Sequence, residues 1–185
     1  MKYELSRFLS RSVSVPTLVL AILAFQHHGV LAQVAPKIPE QAKKLYRFLG
    51  AWEGKGTLTM EGKTSPIRVK HVVSKVAKGW GIKMEETVES SDLGRYVSLS
   101  IGGYDAGEDM FHIYTVDNFG SVHDHKGKWT EENSFALVHE GMQEGKKFVE
   151  TVPFTFTSPK EYHLKVLEDL DGQRQIEMDI VMKKK

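Results

Sequence analysis

The chain has 185 residues, no cysteine, and 25 Lys and Arg against 24 Asp and Glu, which gives a formal net charge of +1. Only the terminal KKK clusters basic residues, so the chain lacks the cationic surface that neutralises phosphates, and nucleic acid is excluded as a main partner. Without cysteine there is no disulfide, cysteine nucleophile or cysteine-ligated iron–sulfur site, and the stability must come from a hydrophobic core.

Residues 1–32 have the pattern of a signal peptide. Three basic residues come first, residues 13–25 (VSVPTLVLAILAF) form an apolar run too short to span a bilayer, and the VLA at 30–32 offers small residues for cleavage before Gln33. We therefore expect an exported protein, periplasmic or secreted, with no membrane span after cleavage. The alternative is an uncleaved N-terminal anchor.

The remaining chain has the length of one domain. Cleavage leaves 22 basic and 23 acidic residues, a lead-in at 33–38 and a single domain at 39–185. A domain of this size buries roughly 70% of the surface of its unfolded chain, and no linker, repeat or low-complexity tract divides it.

A short helix is predicted at the start of this domain. Pro39 suits the first helical position, the helix is expected to reach Leu49, and Gly50 is expected to end it as a left-handed cap. Apolar residues recur there at helical spacing: Ile38, Ala42, Leu45 and Leu49.

The rest of the domain predicts only strands. Apolar and polar residues alternate in ten segments separated by turn residues: 52–60, 66–73, 80–88, 95–104, 110–116, 121–129, 134–141, 146–156, 161–168 and 173–182. Short turns between consecutive strands make an antiparallel meander, and closing the meander removes its two free edges. The prediction is an all-β, up-and-down β-barrel of about ten strands, with the short helix plugging one end.

The alternation also predicts which side chains face the interior. A barrel of this many strands is wider than its own side chains can fill, so we expect a cavity that opens at the end away from the plug. The predicted apolar lining is Trp80, Ile82, Met84, Phe135, Leu137, Phe154, Phe156, Met178 and Ile180. Glu86, His112 and Tyr114 are expected to supply polar contacts to a ligand. A dry, fully packed core is the alternative.

Gly50 and Trp52 mark the expected seam of the barrel. Trp52 opens the first strand and residues 183–185 end the last, and these strands must pair for the barrel to close. A cation over the indole ring would stabilise the seam, and Lys183 is assigned to it together with Gly50 and Trp52 as structural residues.

Four segments carry a family resemblance over residues 40–183: FLGAWEGKG, AKGWGIKMEE, GGYDAGEDMFHIYTVDNFG and a Gly-Lys-Trp turn. With Gly50-x-Trp52 at the start of a barrel, they resemble the calycin superfamily, which contains lipocalins and fatty-acid-binding proteins. The pattern is most similar to a bacterial group of exported lipocalin-like proteins of unknown function. The second and third lipocalin motifs and the Arg-x-Tyr pair that holds fatty-acid carboxylates are not evident, so a fatty acid is not the implied ligand.

One histidine cluster stands out in DMFHIYTVDNFGSVHDHKG. If Asn118 and Phe119 form the turn of this hairpin, Tyr114 pairs with His123 and His112 with His125, and all four side chains share one face. His112, His123 and His125 would then suit a zinc ion with an open fourth position. The same groups could instead line a cavity, and a slip of one residue would dissolve the cluster and leave histidines on the surface.

Two classes of function follow from these patterns. The first is a non-enzymatic module that binds a small apolar or amphipathic molecule in the barrel and needs no cofactor. The second is a metal-dependent hydrolase or hydratase that uses zinc at His112, His123 and His125, or a barrel that binds haem through one of these histidines. No nucleophile elbow, zincin or phosphate-loop motif is present in the sequence, and no catalytic residue is assigned.

Overall fold

The computed structural model describes residues 36–185. The predicted signal peptide at 1–32, and the lead-in up to residue 35, lie outside the described residues. Ile38–Lys185 forms one compact unit. Within the part of the chain that is described, no helix has the length and apolar character needed to cross a membrane.

The described unit is the predicted closed barrel of ten antiparallel strands. A five-residue helix, α1 (Glu40–Lys44), continues into a 3-10 turn over Leu45–Phe48. The strands are β1 (Gly50–Met60), β2 (Lys63–Val76), β3 (Gly81–Ser90), β4 (Gly94–Asp105), β5 (Met110–Asp117), β6 (Val122–Trp129), β7 (Ser134–Gln143), β8 (Lys146–Ser158), β9 (Glu161–Leu170) and β10 (Gln173–Lys184). Each strand pairs with its neighbours in sequence, and β10 pairs with β1.

The helix is shorter than its periodicity predicts. Pro39 is the N-cap rather than the first helical residue, and the backbone is already extended at Leu49. Gly50 begins β1 with φ +113°, and a Cβ there would lie 2.8 Å from Lys184 Cε. Glycine is favoured at this position by its backbone conformation, whereas the nearby Lys184 side chain is flexible and could move aside.

Aromatic side chains fill the half of the barrel beside the helix. Phe48 is 5% exposed and packs edge-on against Phe154, Phe156 and Tyr162, with ring centroids 5.0–5.8 Å apart. Such tilted and edge-to-face arrangements are the favoured geometries of aromatic pairs. The end that carries the helix is therefore closed by solid packing.

The seam uses a different lysine from the one predicted. Trp52 is buried, pairs with Lys184 across β1 and β10, and donates a hydrogen bond from Nε1 to the carbonyl oxygen of Phe48 at 2.7 Å. Lys184 Nζ lies 5.3 Å from the centre of the indole ring. The assignment to Lys183 is wrong because successive side chains in a strand alternate faces, and Lys183 points outward, towards Glu161.

The register of the β5–β6 hairpin also differs from the prediction. Asp117 pairs with Ser121 through a backbone hydrogen bond, which leaves a three-residue loop ending at Gly120 with φ +89°. The Asp117 carboxylate accepts hydrogen bonds from the backbone N–H groups of Phe119 and Ser121, at 2.8 and 3.0 Å. This Asp-capped loop, with glycine at the positive φ, is longer by one residue than the predicted turn and shifts every pair by one.

The shift reassigns the two faces of the hairpin. Ile113 now pairs with His125 and Thr115 with His123, so His123 and His125 face the interior. Tyr114 pairs with Asp124 and is 57% exposed. The predicted face shared by His112, Tyr114, His123 and His125 is therefore wrong, since this register buries the apolar face of β5 and leaves charged Asp124 and Lys126 outside.

The barrel is closed, but the ladder between β6 and β7 is short. The ladder between β6 and β7 runs from Trp129–Phe135 to Lys126–Val138. Beyond it, His139 Nδ1 donates a side-chain hydrogen bond to the backbone oxygen of Asp124 at 3.1 Å. The His139 imidazole therefore links β7 to β6 beside the stretch of β6 from which His123 and His125 face inward.

Candidate functional site

A cavity of about 450 Å³ occupies the half of the barrel away from the helix. Residues from three hairpin turns and their flanks, Leu93, Phe119 and Met142, lie at this end, and Val166 and Met178 belong to its walls. The volume falls within the range of about 300–1,000 Å³ that is usual for small-molecule sites. The open end and the plugged end are therefore opposite each other.

The titratable lining of this cavity is acidic and imidazole-based. It comprises Glu86, Asp117, His123, His139, Glu150 and Glu168, together with the phenol of Tyr96. Among the described residues that line the cavity, none is Lys or Arg. A negatively charged ligand group would meet several carboxylates and would have no Lys or Arg to pair with, which is unfavourable in a partly desolvated site.

Glu150 is the centre of a hydrogen-bonded cluster with two histidines. Its Oε2 accepts hydrogen bonds from His123 Nδ1 at 2.8 Å and from His125 Nε2 at 2.9 Å. Burial raises the pKa of Glu150, but the hydrogen bonds and charges of the two imidazoles outweigh that effect and lower the pKa to about 2. The bond to Glu150 also raises the pKa of His123, against the effect of burial.

Glu168 lies beside this cluster without such support. It pairs with Glu150 across β8 and β9. Burial, and then the charge of Glu150, raise the pKa of Glu168 from 4.5 to about 7. The pKa values of the two neighbouring carboxyl groups therefore move in opposite directions, because Glu150 accepts hydrogen bonds from two imidazoles and Glu168 does not.

Two further features organise the cluster. The His139 ring stacks on the His123 ring, with centroids 4.4 Å apart and planes 10° apart. His125 is 5% exposed, and its Nδ1 has no hydrogen-bond partner among residues 36–185. The imidazoles therefore form a compact group on one wall of the barrel that is not fully satisfied by protein atoms.

A second polar group lies across the barrel from the histidine–Glu150 cluster and consists of Tyr162, His71 and Glu86. Tyr162, which is fully buried, contacts His71 Nδ1 through its hydroxyl at 2.7 Å, and His71 Nε2 contacts the Glu86 carboxylate. Burial raises the pKa of Tyr162, followed by the charge of Glu86, so the hydroxyl stays protonated and donates to Nδ1. Nε2–H of His71 is then the donor to Glu86, which fixes the tautomer of the ring.

A smaller cavity of about 70 Å³ connects the two polar groups. His71 and Glu86 line one side of it, and His123, His125 and Glu150 line the other. Val166 and Leu164 line both this cavity and the larger one. Both cavities therefore combine apolar walls with carboxyl and imidazole groups.

The predicted cavity residues divide into three groups in the structure. Glu86, Met178 and Ile180 line the large cavity, and Met84, Glu86, Leu137 and Phe154 line the small one. The buried side chains of Ile82, Phe135 and Phe156 belong to the hydrophobic core. Trp80, His112 and Tyr114 do not line either cavity.

Trp80, His112 and Tyr114 lie outside the two cavities for two different reasons. His112 and Tyr114 face outward because of the hairpin register, and His112 lies near Glu108 and Asp124 instead of the other histidines. Trp80 is 38% exposed. It follows a 3-10 turn over Ala77–Gly79 with three positive φ angles, so the alternation of β3 starts only at Gly81.

Sequence reasoning missed most of the interior polar groups. Glu150 has the same parity as Phe148 and Val152, and Glu168 the same parity as Leu164 and Val166. His71 stands between Val69 and Val73 on the inward face of β2. The period-two pattern of each strand places all three side chains inside, so the alternation alone carries the signal for them.

Comparison with known proteins bears on the fold. No family model matches the chain, and no curated protein matches its sequence. Among solved structures it is similar to the S-type phycobiliprotein lyase CPES from Guillardia theta, with a TM-score of 0.50 and 12% sequence identity over 77% of this chain and 92% of that one. Together with the closed ten-stranded antiparallel barrel, this likeness fits the calycin fold.

Proposed function

We propose that this protein binds a small amphipathic molecule inside its barrel, with its apolar part against the apolar walls and its polar part at the carboxyl and imidazole groups. The observation that carries the proposal is the cavity of about 450 Å³ at the unplugged end, which combines apolar walls with a few convergent polar groups. That combination is the usual character of a small-molecule site.

The chemistry of the lining narrows the class of ligand. The carboxylates of Glu86 and Glu150 and the imidazole of His123 can accept or donate hydrogen bonds to a neutral polar group, or pair with an amine. A carboxylate or phosphate ligand would find no cationic Lys or Arg among the described lining residues. The proposed ligand is therefore neutral or basic at its polar end.

An apolar fluorescent dye whose emission rises in apolar surroundings tests this proposal. Val166→Trp should abolish the signal, because Val166 lines both cavities and the larger ring would occupy their junction. The matched control is Val72→Trp, which places the same ring on the outer face of β2, where Val72 is 51% exposed. The control should bind the dye like the native protein.

Circular dichroism and thermal unfolding of both variants show whether the barrel is intact. Equal dye binding by the native protein and a folded Val166→Trp variant would place the dye outside the barrel and contradict the proposal. No dye binding by the native protein would do the same.

We also propose that the protein is exported and belongs with the bacterial exported lipocalin-like proteins that its motifs resemble. The support is the leader pattern of residues 1–32 and the cysteine-free sequence with its Gly50-x-Trp52 start. Intact mass spectrometry of the extracytoplasmic protein should give a chain that begins at Gln33. A full-length chain recovered only from the cytosol would refute export.

A further inference from the structure

We infer that His123, His125 and Glu150 form a binding site for a divalent transition metal, with zinc as the expected ion. This set differs from the one that the sequence predicted, because it lacks His112 and includes a carboxylate from β8. The inference does not depend on the proposed function, since the site is defined by three protein ligands rather than by a cavity ligand.

The three donor atoms already lie close together. His123 Nδ1 and His125 Nε2 both contact Glu150 Oε2, and the three donor atoms lie within 4.8 Å of one another. Tetrahedral zinc with bonds of about 2.0–2.1 Å needs its donors roughly 3.3 Å apart. The contacts at 2.8 and 2.9 Å would thus have to open by only about half an ångström to admit the ion.

The type of donors agrees with this assignment. Two imidazoles and one carboxylate form a common three-ligand set for a zinc ion that keeps one open position, whereas magnesium and calcium prefer oxygen donors. The open position would face the interior, because His123 and Glu150 line both cavities. A guest molecule or water could occupy it.

The surroundings favour a ligand over a purely structural network. Buried polar networks with a structural role are normally fully hydrogen-bonded. Here His125 is 5% exposed, and its Nδ1, which is not the proposed donor atom, has no partner among the described residues, so the network is not a fully hydrogen-bonded structural one. His139, stacked on His123, would hold that ring in place while the ion is bound.

Zinc titration of chelator-treated full-length protein tests the site. Calorimetry should give about one zinc per chain, and His125→Gln and Glu150→Gln should each weaken binding by more than the roughly 10- to 100-fold that loss of an outer-shell partner costs. Cobalt(II) in place of zinc should give the visible absorption of a four- or five-coordinate ion. Magnesium should not compete.

His112→Gln is the matched control. His112 belongs to a second cluster of possible donors, with Asp105 and Glu108, on the outer side of the same hairpin. The control should bind zinc like the native protein. If His112→Gln removes binding while His125→Gln and Glu150→Gln leave it intact, zinc is bound at the outer cluster and the inference fails.

Two further results would also overturn it. One is the absence of stoichiometric zinc binding by the native protein. The other is native-like zinc affinity in Glu150→Gln and His125→Gln, each shown to be folded by near-ultraviolet circular dichroism. The dye assay on metal-free protein is separate, so failure of the metal site and failure of the cavity proposal are distinguishable.

Discussion

Replacement of Glu168 by Gln should make the barrel more stable at pH 8 and should flatten its pH dependence. The pKa of Glu168 is raised from 4.5 to about 7 by burial and by the charge of Glu150. The folded protein therefore holds the Glu168 proton more tightly than the unfolded chain does. The stability from this group is complete below about pH 4.5 and is lost as the pH rises through 7.

The magnitude follows from the difference in pKa. Each pKa unit corresponds to about 1.4 kcal/mol, so a rise from 4.5 to about 7 amounts to roughly 3 kcal/mol at pH 8. Gln has nearly the same shape as Glu and stays neutral. Glu168→Gln should thus gain up to about this amount at pH 8 and almost nothing at pH 4.5.

Urea unfolding of metal-free protein at several pH values between 4.5 and 8 measures the effect. Glu89→Gln is the control, because Glu89 is an exposed glutamate of β3. The control should follow the native pH dependence. A Glu168→Gln variant that is less stable than the native protein at pH 8, or that keeps the native pH dependence, would refute the reasoning.

Three other predictions concern the closed half of the barrel, and urea unfolding measures each. Trp52→Ala should cost about 3–5 kcal/mol because it removes a buried aromatic side chain, and a loss below about 1 kcal/mol would contradict its role at the seam. Tyr162→Phe should cost about 1–3 kcal/mol, since His71 Nδ1 would lose its buried partner, and no loss would argue against that hydrogen bond. Lys184→Ala should destabilise more than Lys183→Ala, because only Lys184 lies over the indole ring, and the reverse order would refute that placement.

The barrel could be predicted because its signals are local. Alternation fixes each strand, short turns fix the antiparallel order, and closure follows from the need to pair the two edges. The seam between β1 and β10 follows from the same logic. Which lysine lies over the indole ring depends on which one shares a face with Trp52. That is set by the exact residue pairing between β1 and β10, where Trp52 pairs with Lys184.

The candidate site could not be predicted as well because it depends on register. One additional loop residue, held by the Asp117 carboxylate and by Gly120, moves His112 to the outer face and keeps His123 and His125 inside. The competing patterns of the two strands already conflicted with the predicted register. Both the apolar face of β5 and the charged face of β6 agree with the observed one.

The burial of charged residues on an inward face could not be predicted either. Glu150 and Glu168 follow the parity of their apolar neighbours, but glutamate is rarely buried without a partner. The partners of Glu150 come from β6, two strands away in the barrel order. Only the three-dimensional arrangement brings these groups together.

Calorimetric titration with three amphiphiles of equal chain length tests the central claim most directly. Decylamine, decanol and decanoate would be added to chelator-treated protein at pH 7. Decylamine and decanol are expected to bind at about one per barrel, and decanoate is expected to bind at least about tenfold more weakly, a difference of about 1.4 kcal/mol. Tightest binding by decanoate, or no binding by any of the three, would contradict an acidic cavity for a neutral or basic ligand.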